Sequence, residues 1–229
     1  MVRVTSLLTK RASIRAAAVA ALAAGGLAGS AGLAGATGPR PWEIEMQPAA
    51  TPVKERLLAF DSELVIIIFL ITAFVMGLLL YVIVRFNHRR SPVPSRTSHN
   101  TVIEILWTVV PVLILVIIAV PSFKLMYYMD RVPKEAMTVK VTGHQWYWSY
   151  GYPGQGDLDF DSNAVRGANL KPGQPRLLTV DNPLVVPIGT NVRVLITSTD
   201  VIHSWFVPSF GVQEYAVPGR VNESWFNID

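Results

Sequence analysis

The sequence predicts a membrane-anchored chain in two parts, a hairpin of two membrane-spanning helices followed by an all-β domain outside the membrane. Three observations carry this reading. Two long runs, Leu64–Val84 and Ile105–Phe123, contain no charged residue. The segment between them, from Arg85 to Arg96, holds four arginines and no acid. From Met137 onward, short β-like runs alternate with turns rich in Pro, Gly, Asn and Asp.

Residues 1–36 read as a secretory signal. Arg3, Lys10, Arg11 and Arg15 form a basic start, an Ala/Gly/Leu stretch follows, and Ala34-Gly35-Ala36 fits a small-x-small cleavage pattern. A first transmembrane helix is the competing reading, weakened because glycines and small residues dilute the stretch. Residues 37–60 are a polar, Pro-containing lead-in, with a short amphipathic piece expected around Val53–Phe60.

The first apolar run is 21 residues long, flanked by Asp61 and Glu63 on one side and Arg85 on the other. At the helical rise it reaches about 31 Å, enough to cross a bilayer core. The second, 19 residues between Glu104 and Lys124, reaches about 28 Å by the same rise. Pro111 and Pro121 lie inside it. Proline is tolerated there when neighbouring helices satisfy the freed carbonyls. Positive residues in short loops stay in the cytoplasm. The hairpin, residues 61–126, therefore runs outside to inside to outside, with a cytoplasmic loop at 85–103.

Residues 127–229 form the external domain. Val139 and Val141 alternate within Thr138–Thr142, and Val192, Val194 and Ile196 within Asn191–Ser198. Arg176–Val180, Leu184–Val186, Ser204–Val207 and Ser224–Ile228 are further short strands by pattern. Such spacing implies a β-sandwich or barrel.

Composition agrees. The chain is 51% hydrophobic with a net charge of +4. Mean hydropathy is +0.37. Basic residues cluster beside the apolar runs rather than on an aromatic-interleaved surface, so the positive charge is no sign of nucleic-acid binding. From Pro133 onward acids exceed bases, nine to seven. The 229 residues contain no cysteine, which excludes disulfides, zinc-thiolate sites and thiol catalysis within them. No nucleophile elbow, phosphate loop, dinucleotide fingerprint or HExxH string occurs.

The candidate functional residues each have a plainer reading. His203, in Asp200-Val201-Ile202-His203-Ser204-Trp205-Phe206-Val207-Pro208, is a metal ligand or a hydrogen-bonded core histidine. His144 is a second ligand on spacing alone. Trp146 and Trp148 would share one face of a strand, with Tyr147 on the other. Adjacent aromatics of this kind serve packing or a membrane-interface belt. Glu104, at the cytoplasmic start of the second helix, is favoured by the helix dipole or marks a proton path.

Ordered strings then place the chain. Arg96-Thr97-Ser98-His99-Asn100-Thr101-Val102-Ile103-Glu104-Ile105-Leu106-Trp107-Thr108 comes first. Gly143-His144-Gln145-Trp146-Tyr147-Trp148-Ser149-Tyr150, Asp181-Asn182-Pro183, Asp200–Pro208 and Pro218-Gly219-Arg220 follow. Together they resemble bacterial aa3-type cytochrome c oxidase subunit II, over nearly all of residues 46–229.

The resemblance implies a cupredoxin-like external domain in the periplasm and anchorage in the bacterial inner membrane. It implies a subunit of cytochrome-c oxidase that takes electrons from cytochrome c. A dinuclear copper centre would pass them to haem in subunit I, where O2 reduction is coupled to proton translocation. Haems and a second copper site belong to subunit I. Subunit I, and with it subunit III, cytochrome c and the lipid bilayer are the implied partners. Trp146 matches the tryptophan at which electrons enter. His203 matches the first copper ligand. Glu104 matches the mouth of a proton pathway. Asp157, Asp161, Asp181 and Asp200 match acids on the cytochrome c docking face.

Departures from the family pattern accompany these matches. Gly151 stands where many members carry glutamate, and Gln213-Glu214-Tyr215 replaces a usual Lys-x-Asp. Tyr215-Ala216 is similar to the quinol oxidase branch, which lacks the ligand histidine. Members continue into a Cys-x-x-x-Cys-x-x-x-His-x-x-Met loop. The expectation is a chain without its closing strands and copper loop, unable alone to hold copper or to turn over. A copper-free quinol oxidase subunit and a non-catalytic remnant or assembly form are the alternatives.

Overall fold

The computed structural model describes residues 39–229 apart from Pro41, Pro94, Glu135, Ala136 and Asp157. The signal expected at 1–36 lies outside the described residues.

Helix α1 spans Pro52–Arg85 and helix α2 Thr101–Asp130. Thr51 caps α1: its Oγ1 accepts the Lys54 N–H at 3.1 Å, and Pro52 occupies the first turn, where a missing N–H costs nothing. The amphipathic piece expected at Val53–Phe60 is thus the first turns of α1, continuous with the membrane span. Asn87 closes the other end. Its Oδ1 accepts the N–H groups of Arg89 and Arg90, and its Nδ2 donates to the Val84 carbonyl. Asn100 caps α2 by accepting from Val102 and Ile103. α2 runs unbroken through Pro111 and Pro121. Both helices are long and apolar enough to cross a membrane, and their apolar side chains face outward.

The β domain contains β1 Met137–His144, β2 Tyr147–Tyr152, β3 Leu158–Ser162, β4 Val192–Ser198, β5 His203–Val207, β6 Val212–Ala216 and β7 Asn222–Phe226. One sheet has the order β3-β2-β1-β4-β7, and β5 and β6 form a second. β1 and β4 pair in parallel, in a register that sets Val139 beside Val194 and Val141 beside Ile196, and the other named strand pairs are antiparallel. Those four side chains and Val192 are at most 1% exposed. Each such burial contributes about 1.5–3 kcal/mol. Trp205, Val212 and Ala216 close the core from the second sheet, with Phe226 from β7. Phe226 packs against Phe210 (4.8 Å between ring centres) and Trp205 (6.4 Å).

Two expected strands do not form. Arg176–Val180 is a turn followed by a single bridge from Val180 to Ala164. Leu177 sits there at φ 68°, which a strand excludes. Leu184–Val186 is extended but pairs with no strand, and the Tyr152 hydroxyl holds Val185 through both its carbonyl and its N–H.

The β domain is fastened to both helices. Thr51 Oγ1 donates to the Phe210 carbonyl at 2.7 Å, and the Ala50 N–H donates to Ser209. Gly211 lies against the Lys54 backbone, where a Cβ would come within 3.2 Å of Lys54 Cα. From α2, the Met129 carbonyl accepts the Trp225 indole N–H at 3.0 Å.

Candidate functional site

The outer end of the sandwich gathers the β1–β2 turn, the β4–β5 loop and the first residue of β5. Asp200, in the loop, organises all three. Its Oδ2 accepts the Gln145 N–H at 2.7 Å, fixing the turn that carries Trp146. Its Oδ1 accepts the Val201 N–H at 2.6 Å and lies 2.7 Å from His203 Nε2. The hydrogen bond from His203, then those from Val201, Gln145 and Ser198, hold the Asp200 carboxyl well below the usual carboxylate range. An ionised carboxylate only accepts, so Nε2 is the protonated nitrogen of His203.

The imidazole is pressed against β1. A Cβ on Gly143 would sit 2.8 Å from His203 Cδ2, so glycine alone lets the ring approach the strand. The edge of Trp148 meets the ring at 5.7 Å. Trp146 lies in the turn before β2, 80% exposed, and not on the strand with Trp148 as the spacing suggested. Trp146, Trp148 and His203 line one cleft of about 270 Å³.

His144 lines the same cleft, but both its ring nitrogens are taken. Ser149 gives its only proton to Asp161 Oδ1 at 2.6 Å, so its oxygen accepts from His144 Nε2 at 3.0 Å. Nδ1 then accepts from the Thr199 hydroxyl at 2.8 Å. The expectation of a second metal ligand at His144 fails for this reason. His144 instead ties β1 to β2 and to the β4–β5 loop, and its ring stacks on Tyr147 at 4.5 Å.

The acids differ in their attachments. Asp161 and Asp181 are exposed and Asp157 lies outside the described residues. Asp181 accepts the N–H groups of Asn163 and Asn182, and the Asn163 bond leads in holding its carboxyl below the usual range. Gly151, where the resemblance leads one to expect glutamate, pairs with Asp159 across β2 and β3, and a Cβ there would collide with the Asp159 carboxylate. At the far end of the molecule, Glu104 is half-buried and its Oε1 accepts the Asn100 N–H at 3.2 Å.

Two family models match the chain. "Cytochrome C oxidase subunit II, transmembrane domain" covers residues 39–125, and "Cytochrome C oxidase subunit II, periplasmic domain" covers 137–229. A probable cytochrome c oxidase subunit 2 from Rickettsia bellii is 51% identical over 193 residues, 84% of this chain and 72% of that protein. This chain belongs to the cytochrome c oxidase subunit II family. A probable subunit 2 from Rickettsia conorii is also 51% identical over 193 residues, which make up 61% of its length. A cytochrome c oxidase subunit 2 from Oenothera berteroana is 46% identical over 189 residues, 80% of this chain and 73% of its own. The crystal structure of the periplasmic domain of subunit II from Bradyrhizobium japonicum shares 50% identity over 43% of this chain and 67% of that chain, with a TM-score of 0.39.

The subunit II family carries a dinuclear copper centre. Its donor set needs bridging soft ligands. These 229 residues contain no cysteine, and among the described residues no group of three His, Cys, Asp or Glu is placed to hold a metal ion. His203 Nε2 lies against the Asp200 carboxylate, the kind of outer contact that metal-bound histidines commonly have. The dinuclear centre does not fit these residues by themselves.

The sequence placed Asp200 on the docking face and not as the hydrogen-bond partner of His203, and it did not single out Gly143. The i,i+3 spacing of Asp200 and His203 was the available signal for the first. Nothing local gives the second.

Proposed function

We propose that this chain is the electron-accepting, membrane-anchored subunit of a cytochrome-c oxidase, with Trp146 as the point of electron input and His203 as the group it feeds. One observation carries the reading: exposed Trp146 and half-buried His203 line a single cleft, and Asp200 bonds both the Gln145 amide beside Trp146 and the His203 imidazole. Trp146 offers a redox partner a π surface. The bonds from Gln145 through Asp200 give a continuous path to the imidazole. The family relationship supports cytochrome c as the donor, subunits I and III as neighbours, and a bacterial inner membrane as the location, with the β domain in the periplasm.

Asp157, Asp161, Asp181 and Asp200 are assigned to the docking side, where complementary charge steers a basic partner. Asp161 and Asp181 have exposed carboxylates suited to this, whereas Asp200 acts chiefly on His203. Glu104 is assigned to the mouth of a proton pathway at the cytoplasmic end of α2.

The test is Trp146→Gln in the assembled oxidase. Electron input from cytochrome c should slow by about tenfold or more, the rate loss that a barrier raised by about 1.4 kcal/mol would give. Binding should stay nearly unchanged, because no charge is removed. An unaltered input rate would remove Trp146 from this role.

A further inference from the structure

We propose that the junction between the two helices and the β domain is a binding site for an anionic phospholipid headgroup. The junction forms an open cavity of about 930 Å³. Arg56 from α1, Lys124 from the end of α2, and Arg131 just beyond it all line the cavity. No Asp or Glu lines it. Among the described residues, none of these three cations has a carboxylate within ion-pair distance. Glu63 shares an adjoining shallow cleft with Arg56 and Lys124 and pairs with neither.

Place decides what this charge is for. Lys124 follows directly on the apolar run of α2, and Arg56 precedes that of α1. Both spans therefore end at this cavity. Tyr128 and Trp225 stand in its wall, edge to face at 5.6 Å, with the Arg56 guanidinium 3.6 Å from the centre of the Tyr128 ring. Tyr and Trp at the end of a span mark the level of lipid headgroups. Arg56 is held by a ring face, so its N–H fork is not spent on a carboxylate and suits the bidentate geometry of a phosphodiester.

An anionic headgroup would place its phosphate among the three cations. Phosphatidylglycerol therefore fits the cavity, and a zwitterionic choline lipid, which carries an opposing cation, does not.

The full chain, delipidated in detergent, should be titrated with phosphatidylglycerol and with phosphatidylcholine and read by native mass spectrometry. One phosphatidylglycerol should be retained roughly tenfold or more tighter than phosphatidylcholine, as expected for cations acting together at a surface. Lys124→Gln/Arg131→Gln, which leaves the Arg56–Tyr128 stack in place, should abolish that preference. Arg89→Gln/Arg90→Gln, in the opposite loop, should leave the tight lipid in place. Preference lost only in the loop variant would overturn the proposal. So would displacement of the lipid by millimolar inorganic phosphate, since the cavity would then bind a free anion.

Discussion

Asp200 Oδ1 accepts a 2.7 Å hydrogen bond from His203 Nε2, and this single contact makes Nε2 a protonated nitrogen of the ring. The same carboxylate holds the turn bearing Trp146, so tautomer and turn are set together. Asp200→Asn should lose this control. An amide can accept or donate, so His203 should show a mixture of tautomers in long-range ¹H–¹⁵N spectra where the parent shows one. The folded-state carboxyl is depressed, so its contribution to stability is present above the unfolded value and disappears as pH falls through the lower folded one. The Asp200 ¹³C carboxyl resonance should therefore remain that of the ion at about pH 3.9, where an unstructured aspartate is half-protonated. A half-titrated signal there would contradict the assigned network.

Gly143→Ala tests the packing of the same ring. The new methyl must displace His203, because the contact is 2.8 Å to a ring carbon held by Asp200. Overpacking of this kind costs about 1–3 kcal/mol. Thermal unfolding of the full chain in detergent should show a lower midpoint, and the His203 Nε2–H resonance should shift or vanish. Unchanged spectra and stability would mean that the ring has room to move.

Much of the fold was legible because burial writes itself into period. Val139 and Val141, and Val192, Val194 and Ile196, alternate cleanly since one face of β1 and of β4 is sealed. The membrane runs were legible for the same reason, in continuous form. β3 and β6 left no such trace. β3 reads Leu-Asp-Phe-Asp-Ser and lies at the edge of its sheet, and β6 reads Val-Gln-Glu-Tyr-Ala, in the small two-stranded sheet. Arg176–Val180 misled in the opposite direction, since apolar Leu177 and Leu178 are exposed in a turn rather than paired. The site divides likewise. His203 and Trp146 stood out by residue type, whereas the Asp200–Gln145 bond spans 55 positions and no local pattern encodes it.

Ser149→Ala should loosen the turn from the other side. It removes the acceptor for His144 Nε2–H and the donor to Asp161 in one step. Leaving a half-buried imidazole N–H unpaired costs about 1–3 kcal/mol. Denaturant unfolding should report that loss. Amide exchange at Gln145 and Trp146 should quicken as His144 releases the β4–β5 loop. Ser149→Thr, which keeps the hydroxyl, should restore slow exchange. Equal exchange in Ala and Thr variants would show that the relay does not govern the turn.

Glu104 has two separable jobs, and two substitutions tell them apart. Its Oε1 accepts the Asn100 N–H at the start of α2, a contact that any side-chain carbonyl at this position can make. A proton path needs the ionisable carboxyl itself. Glu104→Gln keeps the acceptor and removes the proton-carrying group. Glu104→Ala removes both. If Glu104 serves proton uptake in the assembled oxidase, both variants should slow steady-state turnover severalfold, with cytochrome c affinity unchanged because Glu104 is remote from the proposed docking acids. The Ala variant alone should also fray the first turn of α2, by about 0.5–2 kcal/mol for a lost cap, visible as faster amide exchange at Asn100–Ile103. Full turnover in the Gln variant beside slow turnover in the Ala variant would assign Glu104 to capping and remove it from the proton route.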